Sequence, residues 1–362
     1  MKQKNLKELN SFRRISLITT VAVYFLILVG GIVRSTGAGM GCPDWPKCFG
    51  NWVPPTHVDE LPADYEDLYV AKRVEKNNRF IAMLESLGFS TLAEDIRHDE
   101  SILEKQPFNA TKTWIEYVNR LVGVMIGIFI ILTFVRSIRI RKIDPVIPLL
   151  SFAALVLVVF QGWLGSIVVS TNLLQWMISL HMVVALILVC LLLYIYFRAR
   201  KISHPADKKE YIPSAGKYKW FMAVALILML VQIVLGIQVR EEIDRVATAF
   251  GHLFREKWIG ELGLAFIIHR SYSLVLLLLH LVFGYMVYKN AGPDSSLYKN
   301  SLALIFLILT VILSGAMMAY FAIPAFIQPL HLLLGSLIIG VQFLIWLELG
   351  HYEKFDENHS VI

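Results

Sequence analysis

Eight long apolar segments, separated by polar or charged ones, dominate the hydrophobicity pattern of the chain. A helix needs about 20 residues to cross roughly 30 Å of hydrocarbon, and it satisfies its own backbone hydrogen bonds in lipid. The predicted spans are 15–34, 115–135, 147–169, 175–197, 219–239, 264–288, 301–320 and 327–348. We therefore expect an all-α integral membrane protein with eight transmembrane helices.

Composition and charge agree with this expectation and add an orientation. Only 17% of the residues are charged and the mean hydropathy is +0.60, whereas soluble domains average about 25% charged residues. Lys and Arg cluster at the N-terminus, in 136–142 and in 198–219, while 170–175 and 321–328 carry none. The positive-inside rule then predicts that both termini are cytoplasmic. The net charge of +6 is a signal of topology, so nucleic-acid binding is not expected.

A fixed spacing between polar residues inside these spans indicates a duplication. Asn119 lies 62 residues before His181, and His269 lies 62 residues before His331, so an offset of 150 carries one pair onto the other. Strongly polar side chains are costly in a membrane and are functional candidates. The sequence predicts two pseudo-symmetric four-helix bundles joined by a cytoplasmic linker, with boundaries at 1–200, 201–217 and 218–362.

The two halves differ in their first external loop, which is much longer in the N-terminal half and runs over 35–113. Its apolar residues between 64 and 98, such as Leu68, Phe80 and Leu87, recur at helical spacing. This pattern predicts a helical cap over the outer face, with docking of a partner as the alternative. Cys42 and Cys48 lie at its start, where an oxidising compartment permits a disulfide that is either structural or redox-active.

The histidines of the C-terminal half suggest a cofactor. His269 and His331 each follow the start of an inward-running span by about one turn, so they lie at matched depth. Two imidazoles in this arrangement can ligate a heme iron from opposite sides. His280 lies about 16 Å deeper at 1.5 Å per residue, so we interpret it as a packing or hydrogen-bonding residue. Asn119 of the N-terminal half is a poor iron ligand.

Glu116 lies one turn before Asn119, and Arg120 lies four residues after Glu116. The pair is either a structural ion pair, or Glu116 acts as a proton acceptor or cation stabiliser beside an oxidised substrate. Arginines at the outer ends of spans have two readings as well: they extend to the interface or bind heme propionates. These arginines are Arg34, Arg240 and Arg270.

The run GGIVRSTGAGMGCPDWPKC, the segment EYVNR at 116–120 and the intramembrane histidines resemble the heme A synthase family over essentially the whole chain. The resemblance implies oxidation of the heme O ring methyl to a formyl group by successive hydroxylations, giving heme A for cytochrome oxidase. It implies resident heme b on His269 and His331, and heme O beside His181 and the Glu116 carboxylate. Cys42 and Cys48 match the external cysteine pair of the family.

The resemblance also implies partners: heme O synthase, cytochrome oxidase assembly factors and membrane lipid, with a homo-oligomer compatible with the family. The lack of an Arg- and Ser-rich presequence favours a bacterial plasma membrane.

One departure from the family pattern concerns the substrate site, where Asn119 replaces the usual histidine before Arg120. Three explanations remain open. His181 alone holds the substrate iron and leaves its other face open, Asn119 hydrogen-bonds a water at that face, or the chain has kept only a heme-handling role. A membrane b-type cytochrome for electron transfer is the main alternative to an enzyme, and a transporter built from repeats is a weaker one.

Overall fold

The computed structural model describes residues 3–203 and 215–359, and this part of the chain is almost entirely helical. Eight long helices are α1 (Gln3–Ser35), α4 (Ala110–Arg139), α5 (Val146–Ser170), α6 (Gln175–Ser203), α7 (Ala215–Ala249), α8 (Leu264–Ala291), α9 (Ser296–Tyr320) and α10 (Ile327–His359). Two shorter helices in the first loop are α2 (Tyr65–Ser86) and α3 (Ser90–Arg97). All eight predicted spans are confirmed as helices long and apolar enough to cross a membrane.

Most of the predicted linker, 201–217, lies outside the described residues. Its first and last three residues belong to α6 and α7. Helix α7 also continues past the predicted end of its span at 239. The reason is an apolar stripe in which Ile243 and Ala247 pack against Trp258 and Leu262 of the following loop.

Each half forms a ring of four helices with the same order of neighbours. In the first half α1 contacts α4, α4 contacts α5, α5 contacts α6, and α6 returns to α1. In the second half α7, α8, α9 and α10 follow the same scheme. The halves meet where α10 packs on α1 and α6, and where α6 packs on α7. Gly31 permits the contact between α1 and α10, because a Cβ there would lie 2.9 Å from Pro329.

The long loop folds as a helical cap over one end of α5 and α6, as predicted. Phe80 and Leu84 of α2 and Ile96 of α3 pack with Leu164 and Met177 in one buried cluster. Two polar side chains of α2 also reach the C-terminal carbonyl groups of α5. The buried face of α2 differs from the apolar face that the sequence spacing predicts, because Leu68 and Leu87 are exposed.

The two cysteines of this loop form a disulfide, which confirms the pairing of Cys42 with Cys48. Both are fully buried and pack with Phe49 and Tyr69 in a small cluster beneath the cap. Phe49 meets the Tyr69 ring edge to face at 5.3 Å. Burial raises the pKa of Tyr69 to about 12, which fits a phenol that stays neutral inside this cluster.

Candidate functional site

The structure brings His269 of α8 and His331 of α10 together inside the second ring. Their ring centres are 6.2 Å apart and the ring planes are inclined by 61°. A metal–imidazole bond is about 2.0 Å, and with roughly 1.1 Å from nitrogen to ring centre, two axial imidazoles place their centres about 6 Å apart. The observed separation therefore matches that of two imidazoles bound to one metal ion. His181 belongs to the other ring of helices.

Glycines on neighbouring helices make room for both imidazoles. A Cβ at Gly236 of α7 would lie 3.1 Å from Cε1 of His269, and one at Gly315 of α9 would lie 3.3 Å from Cε1 of His331. Carbon atoms in ordinary contact are about 3.5–4.0 Å apart. The two glycines thus fix how closely each ring approaches its neighbouring helix.

A serine orients His331. Ser314 Oγ lies 2.8 Å from His331 Nδ1 and donates its own hydrogen to the Val311 carbonyl at 2.7 Å. The hydroxyl oxygen therefore accepts from Nδ1–H, which leaves Nε2 as the nitrogen able to ligate a metal. This is the tautomer that iron ligation through Nε2 requires.

Both histidines line a cavity of about 930 Å³ that reaches the interface between the two halves. Cofactor and ligand pockets usually occupy about 300–1,000 Å³ and are mainly apolar. The walls here are mostly aliphatic, with Met229, Ile233 and Leu332 among them. A planar apolar cofactor with a central metal fits this donor set and this volume.

The three arginines predicted to contact propionates all line this cavity. Arg34 and Arg240 share the carboxylate of Asp244, with Arg240 Nη2 2.7 Å from Asp244 Oδ1. Arg240 Nη1 also donates to Gln328 at 2.7 Å, while its buried Nε has no hydrogen bond within the described residues. Arg270 lies over the Phe266 ring at 5.6 Å. The cavity lining therefore contains three guanidinium groups that can receive carboxylates, together with the acidic Glu241.

The N-terminal half shows a partly similar arrangement around His181 of α6. A Cβ at Gly165 of α5 would lie 3.4 Å from its Cε1. Asn119 Oδ1 is buried and has no hydrogen bond within the described residues. Neither Asn119 nor His181 lines the large cavity. A Cβ at Gly30 of α1 would meet nothing within 4 Å.

Glu116 and Arg120 form the ion pair that their spacing predicts, and both also bind the disulfide loop. The Cys42 N–H donates to Glu116 Oε2 at 2.7 Å. Arg120 donates to Glu116 and to the carbonyl groups of Cys42, Asp44 and Lys47. The ion pair therefore also anchors the disulfide loop, and it holds this loop against the end of α4. This geometry matches the interpretation of Glu116 and Arg120 as a structural ion pair.

The sequence matches the COX15-CtaA family, described as cytochrome oxidase assembly protein, over residues 13–84 and 92–343. The chain belongs to this family. The matched regions of COX15-CtaA include every candidate site residue described above.

Several members of the family that resemble the chain are named heme A synthase. The protein of Shewanella oneidensis is 23% identical over 68% of this chain and 62% of its own length. That of Shouchella clausii is 24% identical over 75% and 74%. That of Bartonella tribocorum is 20% identical over 91% and 89%.

Several residues near the candidate site were not predicted from the sequence. Gln161 and Gln232 donate to the backbone carbonyls of His181 and His269, each at 2.9 Å. The sequence feature that marks both residues is a glutamine four residues before a glycine, on the helix that faces each histidine. Lys76 was also missed. It donates to the Ser166 carbonyl at 2.7 Å, and burial, with the nearby Arg120 charge, lowers its pKa to about 8.

The deeper His280 is a hydrogen-bonded core residue, as the sequence predicts. Its Nδ1 lies 2.7 Å from the Leu276 carbonyl, and its Nε2 lies 2.8 Å from Nε2 of Gln342. Both ring nitrogens are thus engaged within the protein, so His280 is not a free metal ligand.

Proposed function

We propose that the chain oxidises the ring methyl of heme O to a formyl group and so supplies heme A to cytochrome oxidase. The observation that carries the proposal is the 6.2 Å separation of the His269 and His331 rings across a cavity of cofactor size. Membership of a cytochrome oxidase assembly family supports it, as do relatives named heme A synthase.

In this proposal the C-terminal half holds a resident heme b. His269 and His331 are its axial ligands, and Ser314 keeps the His331 tautomer that presents Nε2. Arg34, Arg240 and Arg270, which all line the cavity, would bind its propionates. When bound, the heme supplies one-electron transfer, while the protein sets its ligands, burial and hydrogen bonds.

The N-terminal half is the proposed substrate site, where His181 holds heme O. Asn119 presents a buried amide oxygen without a hydrogen bond in the described structure, and this favours binding of a water at that position over direct ligation. Asn119 and Arg120 thus position substrate and water, and neither ligates iron.

Glu116 is the proposed catalytic carboxylate, acting on the methyl carbon as it becomes electron-poor. It accepts hydrogen bonds from Arg120 and from the Cys42 N–H, and a carboxylate held in this way can stabilise positive charge or accept a proton. The same contacts link this carboxylate to the Cys42–Cys48 disulfide, which is either structural or redox-active in turnover.

The proposed location is the bacterial plasma membrane with both termini in the cytoplasm. Basic residues at the ends of α4 and α6, with Arg136, Arg139, Arg200 and Lys201 among them, support this orientation. The cap and its disulfide then face the outer compartment, which permits disulfides. Heme O synthase and oxidase assembly factors are the proposed partners.

A b-type cytochrome without oxidase chemistry is the second candidate, favoured by Asn119 at the place of a family histidine. To separate the two, the chain is expressed in a bacterium that makes heme O but no heme A, and membrane hemes are separated by chromatography. We expect heme A from the wild-type chain. Unchanged heme O, with the protein inserted and carrying heme b, would favour the cytochrome.

A further inference from the structure

Large apolar side chains are exposed on the disulfide loop, residues 42–53. Trp45, Trp52 and Val53 are 54%, 66% and 64% exposed. Single exposed apolar residues are ordinary, whereas several on one short segment mark a surface that contacts something else. The loop therefore turns its largest side chains away from the protein core and toward its surroundings.

The backbone of this loop is held from within, so the exposed side chains stand on a closed frame. The disulfide joins the two ends of its first turn. Both carboxylate oxygens of Asp44 accept backbone N–H groups across the loop, from Phe49 at 2.7 Å and from Gly50 at 2.8 Å. A surface fixed in this way loses little conformational freedom when it binds.

Contacts with α4 fix the depth of the loop relative to the membrane. Thr113 Oγ donates to the Gly41 carbonyl at 2.9 Å. Arg120 Nη1 donates to the Asp44 carbonyl at 2.6 Å. Thr113 and Arg120 lie 23 and 16 residues before Arg136 at the basic end of α4, or about 35 and 24 Å at 1.5 Å per residue. Because the hydrocarbon core is about 30 Å thick, the loop lies at its boundary with the headgroups.

The loop also continues the side of α4 that faces lipid. The Tyr117 hydroxyl donates to the Trp52 carbonyl at 2.6 Å. Leu121 and Val124 follow Tyr117 at helical spacing on the same side of α4, and both are exposed. Exposed apolar residues along a membrane-spanning helix contact hydrocarbon. The backbone of Trp52 therefore lies at the end of a row of lipid-facing side chains.

The side chains at this level have the composition of a membrane interface. Trp114 meets the Tyr117 ring edge to face at 5.8 Å, and Lys47 Nζ lies 5.8 Å from the centre of the Trp52 ring. Trp and Tyr are enriched at the headgroup level, because their rings are apolar and their N–H or O–H groups form hydrogen bonds. A lysine there adds a cation that attracts anionic lipid.

We propose that the disulfide loop is an interfacial anchor, in which Trp45, Trp52 and Val53 insert among phospholipid headgroups on the cap side of the membrane. Lipid is favoured over a protein partner because headgroups surround the loop at this depth whether or not a partner is bound. The anchor goes beyond the proposed oxidation and does not depend on it. Since Arg120 also pairs with Glu116, the anchor holds that carboxylate at a fixed depth.

The test places the photoreactive residue p-benzoylphenylalanine at position 45 or 52 of the full-length chain, in membranes of the expressing cells. Mass spectrometry then identifies the adducts formed on irradiation. Position 124, which faces hydrocarbon, is the control for lipid contact, and position 258, where Trp258 is buried, is the control for contact within the protein. We expect phospholipid adducts at 45 and 52, as at 124, and none at 258. Adducts with another protein at 45 and 52, or no lipid adduct at either, would overturn the anchor.

A second measurement keeps the test decisive if the photoreactive chains do not fold. Purified full-length protein is placed in vesicles of phosphatidylcholine whose acyl chains carry bromine near the headgroup, which quenches nearby tryptophan fluorescence. Trp52→Phe removes an emitter in contact with lipid and should lower the quenched fraction. Trp258→Phe removes a shielded emitter and should raise it. A quenched fraction in Trp52→Phe equal to or above that of the wild type would refute insertion of Trp52.

Discussion

Gly236→Ala should weaken resident heme binding without disturbing the helix. The added Cβ would lie 3.1 Å from His269 Cε1, about 0.4 Å or more inside an ordinary carbon–carbon contact. Relief requires the ring to leave its preferred rotamer, which costs about 0.5–1.5 kcal/mol, while metal–ligand distances tolerate only about ±0.2 Å. Since 1.4 kcal/mol is a factor of ten, we expect heme affinity to fall by about two- to twelvefold.

The assay is transfer of heme from the purified protein to an excess of apomyoglobin, followed in the Soret band. Gly127→Ala on α4 is the matched control, because a Cβ there meets nothing within 4 Å. It should release heme at the wild-type rate. Equal release from Gly236→Ala and Gly127→Ala would refute the reasoning that Gly236 sets the approach of the His269 ring.

Three further predictions concern individual side chains. His269→Met and His331→Met should each remove or shift the resident heme absorbance, measured in reduced-minus-oxidised spectra, whereas His280→Leu should keep the spectrum of the heme that remains bound. Glu116→Gln should stop heme A formation while resident heme stays bound; full product in extracted hemes would return Glu116 to a purely structural role. The pKa of Lys76 is about 8 in the folded protein, below its value in the unfolded chain. Between pH 8 and 10 the folded protein therefore loses a proton that the unfolded chain keeps, and the free energy of unfolding should rise. Denaturation of Lys76→Met across this range should lack that rise, and an identical rise would contradict the prediction.

Helix positions could be predicted from the sequence because spans depend on local hydrophobicity and length. All eight are located in this way. The spacing of His269 and His331 predicts two histidines at one depth, and their rings lie 6.2 Å apart in the structure. The end of α7 could not be predicted, because Ile243 continues the helix only by packing on Trp258, which a separate loop supplies. Hydrophobicity along one segment contains no information about such a partner.

The contacts around the candidate site could not be predicted from the sequence either. The i,i+4 spacing of Glu116 and Arg120 predicts their pairing, but their bonds to the backbone of Cys42 depend on how the 42–48 loop folds. Likewise Gln232 and Ser314 act on histidines of other helices. Neither of these contacts is marked by a repeated spacing along the chain, so only the packing of the rings reveals them.

The most direct test of the account is chromatographic identification of the hemes extracted from the purified protein, co-expressed with a source of heme O. We expect heme b together with heme A or a hydroxylated intermediate. Heme b alone, with supplied heme O recovered unchanged from the same cells, would contradict the proposed oxidation.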